Sequence, residues 1–144
     1  MSILLMPICG LERSISFAGG SFQLWRNFLA EAAGYGVIHT RDELGFRLEY
    51  ADLNWDEITI ANELGFWDPM PEDPLVVLLA HYDNHGRIKP DHAEHLAKRL
   101  TQLAPLLPDG QGYRPKDDWR DRTHQVIALL LHASEHHEQI RISG

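Results

Sequence analysis

Asp73-Pro74-Leu75-Val76-Val77-Leu78-Leu79-Ala80 is the stretch on which the fold of this chain turns. Aspartate followed by proline is a strong helix start. The carboxylate accepts from free backbone amides, and a proline at the first helical position gives up no hydrogen bond, because its nitrogen would have had no partner there. Leu75 to Ala80 is apolar all round rather than along one stripe, so the helix is expected at the centre of the core. A second helix is predicted from Pro90 to about Ala104. Its apolar face carries Ala93, Leu96, Ala97, Leu100 and Leu103, with Glu94, Lys98 and Arg99 outside it.

Upstream, Ser14-Ile15-Ser16-Phe17 alternates polar and apolar residues with the period of a half-buried strand, and Gly19-Gly20 ends it. A helix follows from the cap Ser21, with Phe22, Trp25, Phe28, Leu29 and Ala32 as its stripe and Gly34 at its C-terminal cap. Phe46, Leu48 and Tyr50 alternate with Arg47 and Glu49, and Val37 to Thr40 is the matching hairpin arm. Asn54 with Glu57 makes a capping box for a short helix through Ile58, Ala61 and Leu64, closed by Gly65. Phe66 to Pro71 reads as an ordered linker, since its two prolines forbid helix while its aromatics favour burial.

Downstream, Pro105 to Lys116 is a loop rich in Pro, Gly and Asp. The last long helix starts after Asp117 or Asp118 and is expected to bury Trp119, Thr123, Val126, Ile127, Leu130 and Ser134. Ile140 and Ile142 then mark a short strand, predicted to pair with Ser14 to Phe17. The sum is an α+β fold, mainly α, with about five helices, short strands near both termini and a hairpin at 37–50. It is read as a single domain over 1–144, with 1–12 as a flexible or loosely packed extension.

Composition narrows the function classes. A chain of 144 residues that is 44% hydrophobic and 24% charged can build a core, which argues against disorder. Its formal charge is −8, from 21 acids against 13 bases, and no basic run is present, so no nucleic acid partner is expected. No apolar run approaches the roughly 20 residues of a spanning helix, so no membrane partner is expected either. The apolar start from Met1 to Cys9 lacks the basic region and cleavage site of a signal peptide, so a cytoplasmic location is expected. Cys9, the one cysteine, cannot form an intramolecular bridge.

Between the two central helices lies His81-Tyr82-Asp83-Asn84-His85-Gly86-Arg87-Ile88-Lys89-Pro90-Asp91-His92. An EF-hand calcium loop needs oxygen ligands at positions 1, 3, 5 and 12, with glycine at 6 for a sharp turn. Aligned on Gly86 and Ile88, the ligand positions read His81, Asp83, His85 and His92. One carboxylate is too little for a hard cation that takes six to eight oxygens, so calcium binding is not expected. A register from Asp83 to Glu94 restores both end carboxylates but moves Gly86 to position 4, which spoils the turn.

The arrangement resembles an uncharacterised family of small bacterial, actinobacterial-type proteins. These carry a Trp-containing first helix, a Pro-Leu apolar helix and an H-x-D-x-x-G-x-I/L-x-P loop, a degenerate EF-hand-like helix-loop-helix. The matching residues here are Phe22, Trp25 and Arg26, then Pro74-Leu75, then His81, Asp83, Gly86, Ile88 and Pro90. The family usually has aspartate at the position of His85 and glutamate at that of His92, and this chain departs at both. The resemblance implies the helix-loop-helix outline and no particular activity.

Nine histidines make zinc the one metal to weigh. The candidate ligands are His81, Asp83, His85 and His92 in the loop, with His132 and His136 one helical turn apart. Helical bookkeeping sets His95 opposite the apolar stripe and His92 near its edge, while His132 and His136 fall away from Trp119, Ile127 and Leu130. A shared structural site is therefore not expected, and no cofactor is assigned. Nucleophilic catalysis finds no motif, since Ser21 reads as a helix cap and neither a nucleophile elbow nor a phosphate loop occurs. Trp25 and Trp119 lie on apolar faces, whereas Trp55 and Trp67 are candidate interface anchors. The leading expectation is a non-enzymatic binding or interaction domain whose partner is another protein. One form of it is an immunity- or inhibitor-like protein for a basic toxin. A metal-dependent hydrolase using the histidines is the competing class.

Overall fold

The structure, a computed structural model, describes residues 3–7, 15–17, 21–35, 37–42, 45–50, 71–79, 85–107 and 118–143. In chain order these form β1 (Ile3–Pro7), β2 (Ile15–Phe17), α1 (Ser21–Ala32), β3 (Val37–Asp42), β4 (Gly45–Tyr50) and α2 (Leu75–Leu79). They continue with β5 (His85–Ile88), α3 (Pro90–Leu103), a 3-10 turn (Ala104–Leu106), α4 (Trp119–Glu135) and β6 (Ile140–Ser143). The fold is α+β and mainly helical. The short helix read at Asn54 to Gly65 lies outside the described residues, as do Trp55 and Trp67.

The deciding stretch folds as its chemistry demands. Asp73 Oδ1 accepts from the Leu75 amide at 3.0 Å, and all five residues of α2 are buried. A helix of five residues is far too short to hold itself in water. Burial holds it: each fully buried leucine contributes roughly 1.5–3 kcal/mol, and Leu75 and Leu78 are both 0% exposed. α3 buries Ala93, Leu96, Ala97, Leu100 and Leu103 as its spacing predicts, together with His92 at the stripe's edge.

α3 and α4 pack against each other as a hairpin. Arg120, in the first turn of α4, donates to Leu107 O at 3.0 Å and Pro105 O at 3.3 Å, which brings that turn to the far end of α3. Asp118 caps α4, its Oδ1 accepting from the Arg120 amide at 2.9 Å. Leu129 and Ala133 are buried on α4, whereas Ser134 is only half-buried, contrary to the expected stripe. Leu129 and Ala133 are covered because α4 has α3 on one side and the sheet on another, which widens its buried arc, while Ser134 lies in the last turn, where that cover runs out. Arg122 makes one of α4's sheet contacts, donating to Ser16 O at 3.0 Å.

The sheet corrects the sequence reading at three points. It has four strands in the order β2-β1-β6-β5, so β6 pairs with β1 and β5 rather than with Ser14 to Phe17. The stretch read as a loose extension contains β1, antiparallel to both β2 and β6. A short apolar segment without alternation gives no strand period, yet that is what a centrally paired strand looks like. The third point is β5, a strand inside the stretch read as a degenerate calcium-type loop. Gly86 pairs there with Ile142 at a φ of +155°, a positive value that glycine allows and other residues rarely adopt, but one far from the left-handed value of about +57° that a sharp turn uses.

The hairpin at 37–50 is present, with β3 paired to β4 from Val37 opposite Tyr50 to Asp42 opposite Gly45. One hydrophobic cluster joins β2, α1, α2, β5, α3, α4 and β6. Phe17, Phe22 and Trp25 form its aromatic heart, with Phe17 stacked on Trp25 at a centroid distance of 5.1 Å and edge-on to Phe22 at 5.4 Å.

Candidate functional site

Charge is sorted between the two layers of this molecule. On the helical side the described arginines are engaged by acceptors of this same chain. Arg99 Nε donates to Asp73 Oδ1 at 3.2 Å, Arg120 holds the carbonyls of Pro105 and Leu107, and Arg122 holds Ser16 O and lies over the Phe17 ring. Lys98 is exposed but pairs with Glu94 at 3.5 Å, one helical turn away. Asp91, Asp121 and Glu135 are exposed on the same two helices. Asp91 and Asp121 sit in first turns, where a carboxylate favours the helix dipole. The helical layer therefore presents acid and consumes most of its base internally.

The sheet shows the reverse. Its strands alternate so that Ile15 and Phe17, Gly86 and Ile88, and Ile140 and Ile142 are buried, while Ser16, Arg87 and Arg141 are exposed. Arg87 and Arg141 are direct register partners across β5 and β6. The sequence alone does not show this pair, because Arg87 falls in a stretch that reads as a loop between two helices. The usable signal was the matching pattern of Gly86-Arg87-Ile88 and Ile140-Arg141-Ile142.

A polar knot ties α1, α2 and α3 together. Asp73 accepts from Tyr35 Oη at 2.7 Å as well as from Arg99 and the Leu75 amide. Burial, reinforced by the hydrogen bond to Asp73, pushes the Tyr35 hydroxyl up to about 12. Arg26, only 2% exposed, donates to Leu78 O at 3.5 Å and lies 4.5 Å from the Phe22 ring centroid. Leu78 is in the last turn of α2, where carbonyls lack helical partners and the dipole favours a cation.

Only part of the loop and histidine set falls among the described residues. His81 and Asp83 lie outside the described residues, and His85 enters β5 as the partner of Ser143. His92 is buried on the inner edge of α3. His132 and His136 lie side by side on the outer side of α4, their rings tilted by 46° at a centroid distance of 4.2 Å, the former half-buried and the latter exposed. Among the described residues no three histidines, cysteines or carboxylates converge as a metal site would require. No helix among them is long and apolar enough to cross a membrane. No protein-family model, no curated protein and no solved structure matches the chain.

Proposed function

We propose that this protein is a non-enzymatic binding domain that captures a basic protein surface with its helical layer. The observation that carries the reading is the fate of charge on that layer: its arginines are spent on internal acceptors while Asp91, Asp121 and Glu135 stay in solvent. Such a face steers a cationic partner and sets its register more than it adds raw affinity. An immunity- or inhibitor-like role toward a basic toxin is the form this chemistry fits best. In this reading the stretch around Gly86 serves as a fastening ahead of α3, with β5 holding it to the sheet.

Binding to a lysine- and arginine-rich test peptide, followed at rising salt, tests the reading. Affinity should fall steeply with ionic strength. The triple variant Asp91→Asn, Asp121→Asn, Glu135→Gln should bind about tenfold weaker, a loss of about 1.4 kcal/mol. A control carrying Glu31→Gln and Glu72→Gln, exposed acids of α1 and the approach to α2, should bind like the parent. Equal losses in the two variants would show only general charge attraction and overturn the assignment. Stoichiometric zinc surviving dialysis would instead favour the hydrolase.

A further inference from the structure

The opposed arginines on the outer face of the sheet carry an inference independent of the helical layer. Six arginines have described side chains: Arg26, Arg87, Arg99, Arg120, Arg122 and Arg141. Four of them donate to an internal acceptor. The other two, Arg87 and Arg141, are exposed and have no ion pair or side-chain hydrogen bond among the described residues. They are also the two that face each other directly across neighbouring strands.

Direct partners in an antiparallel ladder hold their Cβ atoms about 4.5–5.5 Å apart, and like charges at that spacing repel. A guanidinium cannot relieve the repulsion by losing its proton. Nor can this pair drift apart through its backbone, since β6 is paired on both sides, to β1 and to β5. The juxtaposition is all the more pointed in a chain whose formal charge is −8. An anion held between the two side chains would relieve that repulsion. Two planar forks, each with five N–H donors, suit an oxyanion that accepts from both at once.

Charge decides which oxyanion. A carboxylate cancels one of the two positive charges, whereas a phosphate monoester carries about −1.5 to −2 near neutrality and three acceptor oxygens. We infer that Arg87 and Arg141 form a phosphate-binding site on the solvent face of the sheet. It takes a phosphoryl dianion, either free phosphate or a phosphoryl group carried on a peptide.

The test follows the backbone amides of residues 87 and 141 by NMR at constant ionic strength. The probes are inorganic phosphate, a phosphoserine peptide and the same peptide without its phosphoryl group. Saturable shifts with inorganic phosphate, weakened about tenfold or more in Arg87→Gln and in Arg141→Gln, support the site and show that the free anion suffices. The same pattern with the phosphopeptide alone supports a group delivered on a chain. No saturation with either probe, or affinity retained in both variants, overturns the inference. Melting in phosphate-free buffer gives a second check. Each variant removes one of two repelling charges, so each should melt no lower than the parent. A lower melting temperature in both would show the pair already satisfied and overturn the inference as well.

Discussion

α1 and α4 are built to one plan and meet its demands differently. Each buries a tryptophan, Trp25 at 0% and Trp119 at 1% exposure, and each ends in a Schellman motif. In α1 both demands are met. Trp25 Nε1 donates to Thr123 Oγ1 at 2.9 Å, and the left-handed cap position is Gly34, with φ of +91°. In α4 neither is. Trp119 Nε1 is buried with no partner among the described residues, and the cap position is His137, with φ of +54°. The caps otherwise match: the Tyr35 amide reaches Ala30 O at 2.9 Å, and the Glu138 amide reaches Ala133 O at 2.8 Å. A helix tied at both ends tolerates local conflict, because its surroundings over-determine it. α4 has Asp118 and the 3-10 turn at its start and the doubly paired β6 just beyond its end.

Breaking the tryptophans separates the two helices most. Trp25→Phe and Trp119→Phe remove the same volume, but only the first removes a hydrogen bond. Trp25→Phe should therefore cost about 1–3 kcal/mol more than Trp119→Phe in urea unfolding. Equal costs would show that the Trp25–Thr123 bond has no net value. Thr123→Val should lose part of its cost in the Trp25→Phe background, since the two groups share that bond.

Tyr35 follows the α1 cap directly, and Tyr35→Phe should cost about 1 kcal/mol near neutral pH for the bond to Asp73. Its hydroxyl is raised from 10.0 to about 12, so the folded state holds this proton more tightly than the unfolded state does. That stabilisation is complete below pH 10 and lost as pH rises through about 12. Between those values the parent should lose more stability than Tyr35→Phe, and parallel curves would refute the coupling.

The caps give the smallest effects and the most direct comparison. A Cβ at Gly34 would meet nothing within 4 Å, so Gly34→Ala isolates the conformational penalty, about 1–2 kcal/mol. His137→Gly should gain less, about 0.5 kcal/mol, since the added freedom of glycine in the unfolded chain offsets part of the relief. A destabilised His137→Gly would mean that the side chain contributes more than its backbone conformation costs.

The helical half of the fold was open to reading because its signals are local. Asp73, Pro74, Asp118 and Gly34 punctuate helices, and stripes such as Ala93 to Leu103 repeat within one element. Strand partners are not local. Ile140 and Ile142 declare a strand but say nothing of whether Ile15 or Leu5 lies beside it, and β1 and β5 each lacked a clean period. The candidate surfaces inherit that limit. Arg87 and Arg141 lie far apart in the chain, and only the register of β5 on β6 makes them neighbours. The engaged arginines were hidden likewise, since Arg120 and Arg122 look like ordinary solvated positions until their acceptors are in place.

The placement of β1 beside β6 also bears on how the chain reaches this state. Leu4 meets Ser143 and Leu5 meets Ile142, so a central ladder of the sheet joins segments separated by nearly all of the residues between them. Closing so long a loop must be done before its contacts return any stability, whereas the α3–α4 hairpin needs only a short connection. The helical hairpin should thus assemble early, with β5 and β6 carried together at its two ends. β1 then arrives as the late piece that completes the sheet, and refolding should be slower than the helix content alone would suggest.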